Sequence, residues 1–372
     1  MIVKICGRKN KKYWQKLLRN RFQFVIISVQ YVGCVEVRAL NPVKLEDIAR
    51  SLNLSVSTVS RALSGNGRVG EKTRRRVQEA VRESGYTVNT VARSLRIRDA
   101  RNIGVVVPDI GNSYFASIIK GAQQFCRENG YTLTVCSSDE DADYEAEALQ
   151  MLLEKQVSGV ILASVGGSRD YVRHYARLGI PIVFIDNIPE NCGAHDLVTI
   201  DNLAAAYSLT EAMIARGYRE LGAITGPRSQ ATGQLRYEGF VKAMTDAGLE
   251  IKPEWVLEGE FRAESGYQLM KDLLALPDRP RAMIFGNNNL SCGAINAIRE
   301  AGLNIPGDVA LATFDIEDPT GLITPHITTL NQPAREIGGR AAEIIFARLN
   351  DGVPEENRII YLEPVFVEGE SW

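Results

Sequence analysis

From residue 101 to the end of the chain, short apolar runs alternate with amphipathic segments of helical length, and this rhythm constrains the fold more than any other feature. The runs are "IGVVV", "TLTVC", "GVILAS", "IPIVFID", "LVTI", "LGAIT", "AMIFG" and "VALATFD", and segments such as "YEAEALQMLLEKQ" and "AAAYSLTEAMIARGY" lie between them. A strand that is apolar at every position must be covered on both faces, which is the condition of a parallel sheet flanked by helices. Eight or more such strands over about 270 residues suit two doubly wound lobes better than one. Ligands in such folds sit outside the carboxyl ends of the strands, so polar residues just past a strand end are the first site candidates.

The front of the chain has another texture. Up to Arg101 there are 22 Lys/Arg against 7 Asp/Glu, a balance of +15, while the remainder has 21 against 38, a balance of -17. A basic front and an acidic body suggest contact with nucleic acid at one end only. Within the front, "LEDIARSLNL" places Leu45, Ile48, Ala49 and Leu52 on one helical face, and Asn53 tolerates the left-handed conformation of a tight turn. Ser55 is an N-cap candidate for a second helix, "VSTVSRALS", with Val59, Ala62 and Leu63 inward. A third helix in "GEKTRRRVQEAVRESGY" turns Val77, Ala80 and Val81 to the same core. A small residue at Ala49, a turn residue at Asn53 and an apolar residue at Val59 let two short helices cross closely, as a helix-turn-helix requires. On the second helix, Val56, Ser57 and Arg61 would then face base edges, and Thr58 and Ser60 would bond phosphates.

Enzymatic readings find little footing. "VVVPDIGNSYF" after the first strand is not GxGxxG, and neither GxxxxGK[ST] nor GxSxG occurs. His174, His195 and His326 lack triad or metal spacing, and the six cysteines are scattered without a CxxC pair, which suggests reduced thiols and no metal site. No cofactor is expected. The leader "KNKKYWQKLLRNR" followed by "FQFVIISVQYVGCV" imitates a signal peptide, yet its apolar part is too short to span a bilayer, which takes about 20 residues.

The segment "VKLEDIARSLNLSVSTVSRALSGNGRVGEKTRRRVQEAVRESGYTVNTVARSLR" resembles the headpiece and hinge of the LacI/GalR (lactose-repressor) family of bacterial transcription regulators. "NIGVVVPDIGNSYFASIIKGAQ", "RYEGFVKAM", "NNNLSCGAINAIREAGLNIPGDVALATFD" and "ITTLNQPAREIG" resemble the same family in the same order. The resemblance implies an all-α helix-turn-helix headpiece and an α/β core like a periplasmic sugar-binding protein, built of two doubly wound parallel-sheet lobes. It implies a cytoplasmic, nucleoid-associated homodimeric repressor (some members are tetramers) on a near-palindromic operator. It also implies a small-molecule effector between the lobes: a sugar, sugar acid or phosphosugar, ahead of a purine.

By position, the family's base-reading pair falls on Val56 and Ser57, the following arginine on Arg61, and a phosphate contact on Thr73. The linker helix falls on Asn89 to Arg96, with Leu95 as the residue that wedges a base step of the minor groove, and it is expected to order on DNA. Effector contacts fall on Tyr114 or Phe115, Asp186, Arg236, Asn287 and Asp315, a set of donors, acceptors and a ring face suited to a polyol. The duller alternatives are helix caps for Asp186 and Asp315 and half of a surface ion pair for Arg236. Asn288 departs from the family's usual aspartate and removes a charge there, and Val88 replaces a frequent proline. The expected division is a leader at 1–42, a headpiece at 43–88 and a hinge at 89–101. The core follows, with lobe 1 at about 102–199 and 329–355 and lobe 2 at about 200–328 and 356–372. Nothing in the family matches the leader, so Val43 is expected to be the true start, with a basic DNA-binding arm as the rival reading.

Overall fold

The computed structural model describes residues 45–64, 69–84, 101–189, 192–193, 195–317, 321–351 and 357–372. The leader, Asn89 and Leu95 lie outside them, as do the side chains of Leu45, Ser60 and Leu63. The chain divides into two compact units between Val88 and Asn89.

Among the described residues, the first unit holds three helices: α1 (Leu45–Leu52), α2 (Val56–Ser64) and α3 (Glu71–Ser84). Its core is Ile48, Ala49, Val59, Ala62 and Val77, with Leu52, Leu54, Ala80 and Val81 packed against it. Asn53 has a φ of 54°, the left-handed turn that its short polar side chain tolerates, and Leu54 N closes the turn on Ala49 O at 2.9 Å. Ser55 Oγ accepts from Thr58 N at 3.2 Å, which caps α2.

The second unit holds two six-stranded sheets. The first has β1 (Asn102–Val107), β2 (Thr132–Ser137), β3 (Gly159–Leu162), β4 (Ile182–Ile185), β5 (Asp196–Thr199) and β11 (Ile359–Tyr361), in the order β11-β5-β4-β3-β1-β2. The second has β6 (Leu221–Thr225), β7 (Val256–Glu258), β8 (Ala282–Phe285), β9 (Ala310–Phe314), β10 (Thr328–Asn331) and β12 (Val365–Val367), in the order β12-β10-β9-β8-β6-β7. Every pairing is parallel except that of β10 with β12. The two lobes therefore repeat one doubly wound order, with its reversal between β1 and β3 and between β6 and β8.

Helices cover both faces of each sheet. In lobe 1, Ile103, Val105 and Val107 of β1 pack with α4 (Ser113–Glu128) and α11 (Ala334–Asp351), while Val106 packs on the other side with α5 (Ala142–Glu154) and α6 (Arg169–Leu178). This double burial explains why β1 is apolar throughout. In lobe 2, α9 (Ala263–Leu274) and α10 (Asn288–Glu300) cover one face, and α7 (Asn202–Ala215) and α8 (Ala231–Asp246) cover the other.

The eight apolar runs all form strands, but four strands lack such a run. The short edge strands β7, β11 and β12 carry half-buried or exposed side chains, so continuous hydrophobicity does not mark them. The strand β10, sequence "TTLN", is buried yet polar. These strands move the expected lobe boundaries. Thr328–Asn331 pairs with β9 and belongs to lobe 2, and Ile359–Tyr361 pairs with β5 and belongs to lobe 1. The crossovers thus fall after β10 and after β11, a few residues beyond 328 and 355.

Candidate functional site

Residues just past strand ends from both lobes converge on one cleft. From lobe 1 come Pro108, Asn112, Tyr114 and Phe115 after β1, Glu140 after β2, and Asp186 and Asn187 after β4. Lobe 2 contributes Gln230, Thr232 and Arg236 after β6, Phe261 after β7, Asn287 and Asn288 after β8, Asp315 after β9, and Gln332 follows β10. All six residues expected at an effector site, Tyr114, Phe115, Asp186, Arg236, Asn287 and Asp315, line it.

Arg236 is 3% exposed, which excludes a surface ion pair. Its helix α8 lies close on α7 because Gly239 has no side chain: a Cβ there would come within 2.4 Å of Leu203 O. That approach lets Arg236 Nε donate to Asn202 Oδ1 at 2.8 Å, while an Nη donates to Gly286 O at 2.5 Å and the guanidinium lies 3.8 Å from the centre of the Phe314 ring. The remaining Nη2 is buried with no hydrogen-bond partner among the described residues. A buried charged donor left open toward a cavity is costly unless something else accepts from it.

Asp186 and Asp315 occupy matching places after β4 and β9, and both adopt the left-handed conformation, with φ of 58° and 60°. Neither caps a helix. Burial pushes the Asp186 carboxyl up to about 6, against the pull of Arg236 and with a further push from Asp315. Burial also raises Asp315, opposed by Arg236 and by Gln332, whose backbone N and Nε2 donate to its two oxygens at 2.8 and 2.7 Å. The same desolvation lowers Arg236 and lifts the Tyr114 phenol well above its ordinary value. Tyr114 Oη donates to Gln332 Oε1 at 3.1 Å, and its ring meets Phe115 edge-on at 5.0 Å. Glu140 is raised to about 7, chiefly by burial.

Asn287 reaches the cavity with one atom committed, since Oδ1 accepts from Leu290 N at 2.9 Å and caps α10. Asn288 pairs with Asn112 across the lobes rather than standing free. Sequence reasoning passed over Asn112, Glu140, Asn187, Gln230, Thr232, Phe261 and Gln332 as site residues. Asn187 and Gln332 lie so near strand ends that the carboxyl-end rule could have nominated them, whereas Glu140, Gln230 and Phe261 sit deeper in loops with no local signal.

In the headpiece, Val56 is 40% exposed, so it is no core residue. It stands with exposed Ser57 and Arg61 and half-buried Thr58 on α2. Ser55 Oγ lies 2.9 Å from Ser57 Oγ and 2.7 Å from Thr58 Oγ1, a hydroxyl cluster at the start of the helix. Thr73 lies in the first turn of α3 beside Arg74, Arg75 and Arg76.

A helix-turn-helix unit followed by a two-lobed ligand-binding core defines a class of DNA-binding regulators, and comparison with known proteins agrees. Residues 44–89 match "Bacterial regulatory proteins, lacI family", and residues 100–362 match "Periplasmic binding proteins and sugar binding domain of LacI family". The chain is 32% identical over 324 residues to the HTH-type transcriptional repressor PurR of Pasteurella multocida, covering 87% of this chain and 96% of that protein. It is 33% identical over 328 residues to the ribose operon repressor of Haemophilus influenzae, covering 88% and 98%. Among solved structures, the transcriptional regulator CelR–cellobiose complex superposes with a TM-score of 0.67 at 25% identity, covering 88% of this chain and 99% of that one. The chain belongs to the LacI family. It is a DNA-binding transcriptional regulator with an effector-binding core, not an enzyme. Repressors of this family bind operator DNA and small-molecule effectors and are dimeric. No helix among the described residues is long and apolar enough to cross a membrane.

Proposed function

We propose that this regulator is a cytoplasmic homodimeric repressor of a near-palindromic operator and that its effector is a neutral sugar. The buried, open Nη2 of Arg236 between two acidic strand ends carries this reading. Carboxylates accept from vicinal hydroxyls, the guanidinium donates to a ring or hydroxyl oxygen, and the rings of Phe115 and Phe261 offer apolar faces. The charged lining residues are Glu140, Asp186 and Asp315 against Arg236, three carboxylates to one cation. That balance disfavours phosphosugars and sugar acids, whose own charge would meet an acidic cavity. The ribose operon repressor and the cellobiose complex among the similar proteins support a carbohydrate.

Tyr114, Phe115, Asp186, Arg236, Asn287 and Asp315 are assigned to the effector, and Val56, Ser57, Thr58, Ser60, Arg61, Thr73, Asn89 and Leu95 to DNA. The two sites are linked: an effector that binds one lobe arrangement better shifts the population toward it and changes operator affinity by the same coupling free energy.

A thermal-shift screen of the full chain against neutral pentoses and hexoses, their phosphates, sugar acids and purine bases tests the effector class. Stabilisation by a neutral sugar is the expected result, and a shift by purines or phosphates alone would overturn it. On the DNA side, Arg61→Ala should cost roughly 1–3 kcal/mol on operator and little on random sequence, as read by titration of both.

A further inference from the structure

Asn112 is the N-cap of α4 in lobe 1, and Asn288 is the first residue of α10 in lobe 2. Both are 7% exposed, and they face each other across the cleft. Asn112 Nδ2 donates to Asn288 Oδ1 at 3.1 Å, and Asn288 Nδ2 donates back to Asn112 Oδ1 at 2.9 Å. We propose that this reciprocal amide pair is a charge-neutral latch that holds the lobes closed over the cavity even when no ligand is bound.

Each amide has its orientation set by its own lobe. Asn112 Oδ1 accepts from Tyr114 N at 3.0 Å, and Asn288 Oδ1 accepts from Asn289 N at 2.9 Å. Turning either amide over would aim an NH2 group at a backbone N–H, so each lobe presents one carbonyl and one NH2 in fixed positions before closure. Closure then joins two preformed, complementary faces, and opening leaves both to water. Only an amide at each position completes the set. A carboxylate at 288 has no hydrogen to give, and it would set a charged oxygen against Asn112 Oδ1 in a buried place, where two facing acceptors repel and cost more than a lost bond. A protonated carboxyl at 288 would restore the pattern, because its carbonyl accepts and its O–H donates. The latch depends on the two lobes meeting at this cleft and not on the identity of the effector.

Asn288→Asp in the full chain, dialysed and without added ligand, tests the latch. The readout is the distance distribution between spin labels on unnatural side chains at the exposed positions Glu154 on α5 and Lys271 on α9. Glu140, Asp186 and Asp315, all raised by burial, line the same cavity beside Tyr114 and Arg236 in both proteins, so wild type at each pH is the baseline.

At about pH 8 the variant's closed-to-open ratio should fall about tenfold or more below wild type. As the pH falls far enough to protonate the new carboxyl it should return toward wild type, because the neutral group again accepts with its carbonyl and donates with its O–H. Asn112→Asp keeps the cap acceptor and replaces the NH2 with an oxygen facing Asn288 Oδ1. It should open the lobes at high pH and recover in the same way, and it carries the test should Asn288→Asp not fold. Wild-type distances in both folded variants at about pH 8 would overturn the latch, as would opening that persists unchanged at low pH. An open ligand-free wild type would overturn it equally. None of these outcomes depends on which sugar, if any, shifts the melting temperature.

Discussion

Among the described residues, the headpiece closes around five buried apolar side chains, Ile48, Ala49, Val59, Ala62 and Val77, whereas each lobe of the core holds its sheet between two clusters of eleven or more. The difference in scale goes with a difference in what is buried. The described part of the headpiece core is apolar, and the polar candidates Ser57, Thr58 and Arg61 stand at or near the surface. The core encloses Arg236, Asp315 and the Asn112–Asn288 pair within its folded body. A small domain cannot offset the desolvation of buried charge, while a large one can keep a polar cavity and pass the cost to its surrounding packing.

The comparison is broken most directly at Arg236. Arg236→Leu leaves Asp186 and Asp315 facing each other without their cation, so the core should lose about 3–5 kcal/mol and all response to its effector. Thermal melting and effector titration of the full chain read both effects, while the described headpiece core, Ile48, Ala49, Val59, Ala62 and Val77, offers no buried charge to remove.

Cutting the same two carbons from each unit sharpens the contrast. Val77→Ala and Val183→Ala, both at fully buried sites, should each cost about 2 kcal/mol. For the headpiece that is a large share of its stability, so operator binding should collapse while the core melts as before. For the core it should appear only as a melting temperature lower by a few degrees.

The third expectation concerns pH. Asp186 rises from 3.8 to about 6 on folding and Glu140 from 4.5 to about 7. A carboxyl raised in the folded state takes up protons on folding, so stability is greatest below the unfolded value and declines as pH climbs through the folded one. The effector-free core should therefore lose stability between about pH 4 and about pH 7, and Glu140→Gln should flatten the upper part of that decline, as seen in melting curves across the range. Smallest is the cap at Ser55, where Ser55→Ala should weaken the headpiece by about 1 kcal/mol in amide exchange. Removing the exposed Glu71–Arg75 pair should change nothing measurable.

The two units were also unequally legible. The turn at Asn53, the cap at Ser55 and the inward face of α1 to α3, Leu45 and Leu63 aside because their side chains lie outside the described residues, follow from neighbours within a few residues and appear in the structure. In the core, strands buried on both faces, such as β1, β3, β6, β8 and β9, announce themselves by apolar runs, and β2 carries such a run although its side chains are half-buried or exposed. Edge strands β7, β11 and β12 do not, because one side of each meets solvent, and β10 hides behind its threonines. The expected lobe boundaries slipped at β10 and β11 for that reason.

Periodicity and charge placement alone determined that this chain has a basic helical front and a parallel-sheet body, since both depend on side-chain spacing along a single element. Motif order pointed to the family and to Arg236, Asp186 and Asp315. Only the tertiary structure decided what those residues face. Glu140, Gln230 and Phe261 enter the cavity from loops whose composition says nothing of their destination. Asn288 reads in sequence as a missing charge, yet it is half of a bond to a residue 176 positions away. Pairing over such a distance is set by how two sheets and their crossovers pack, and no local propensity encodes it.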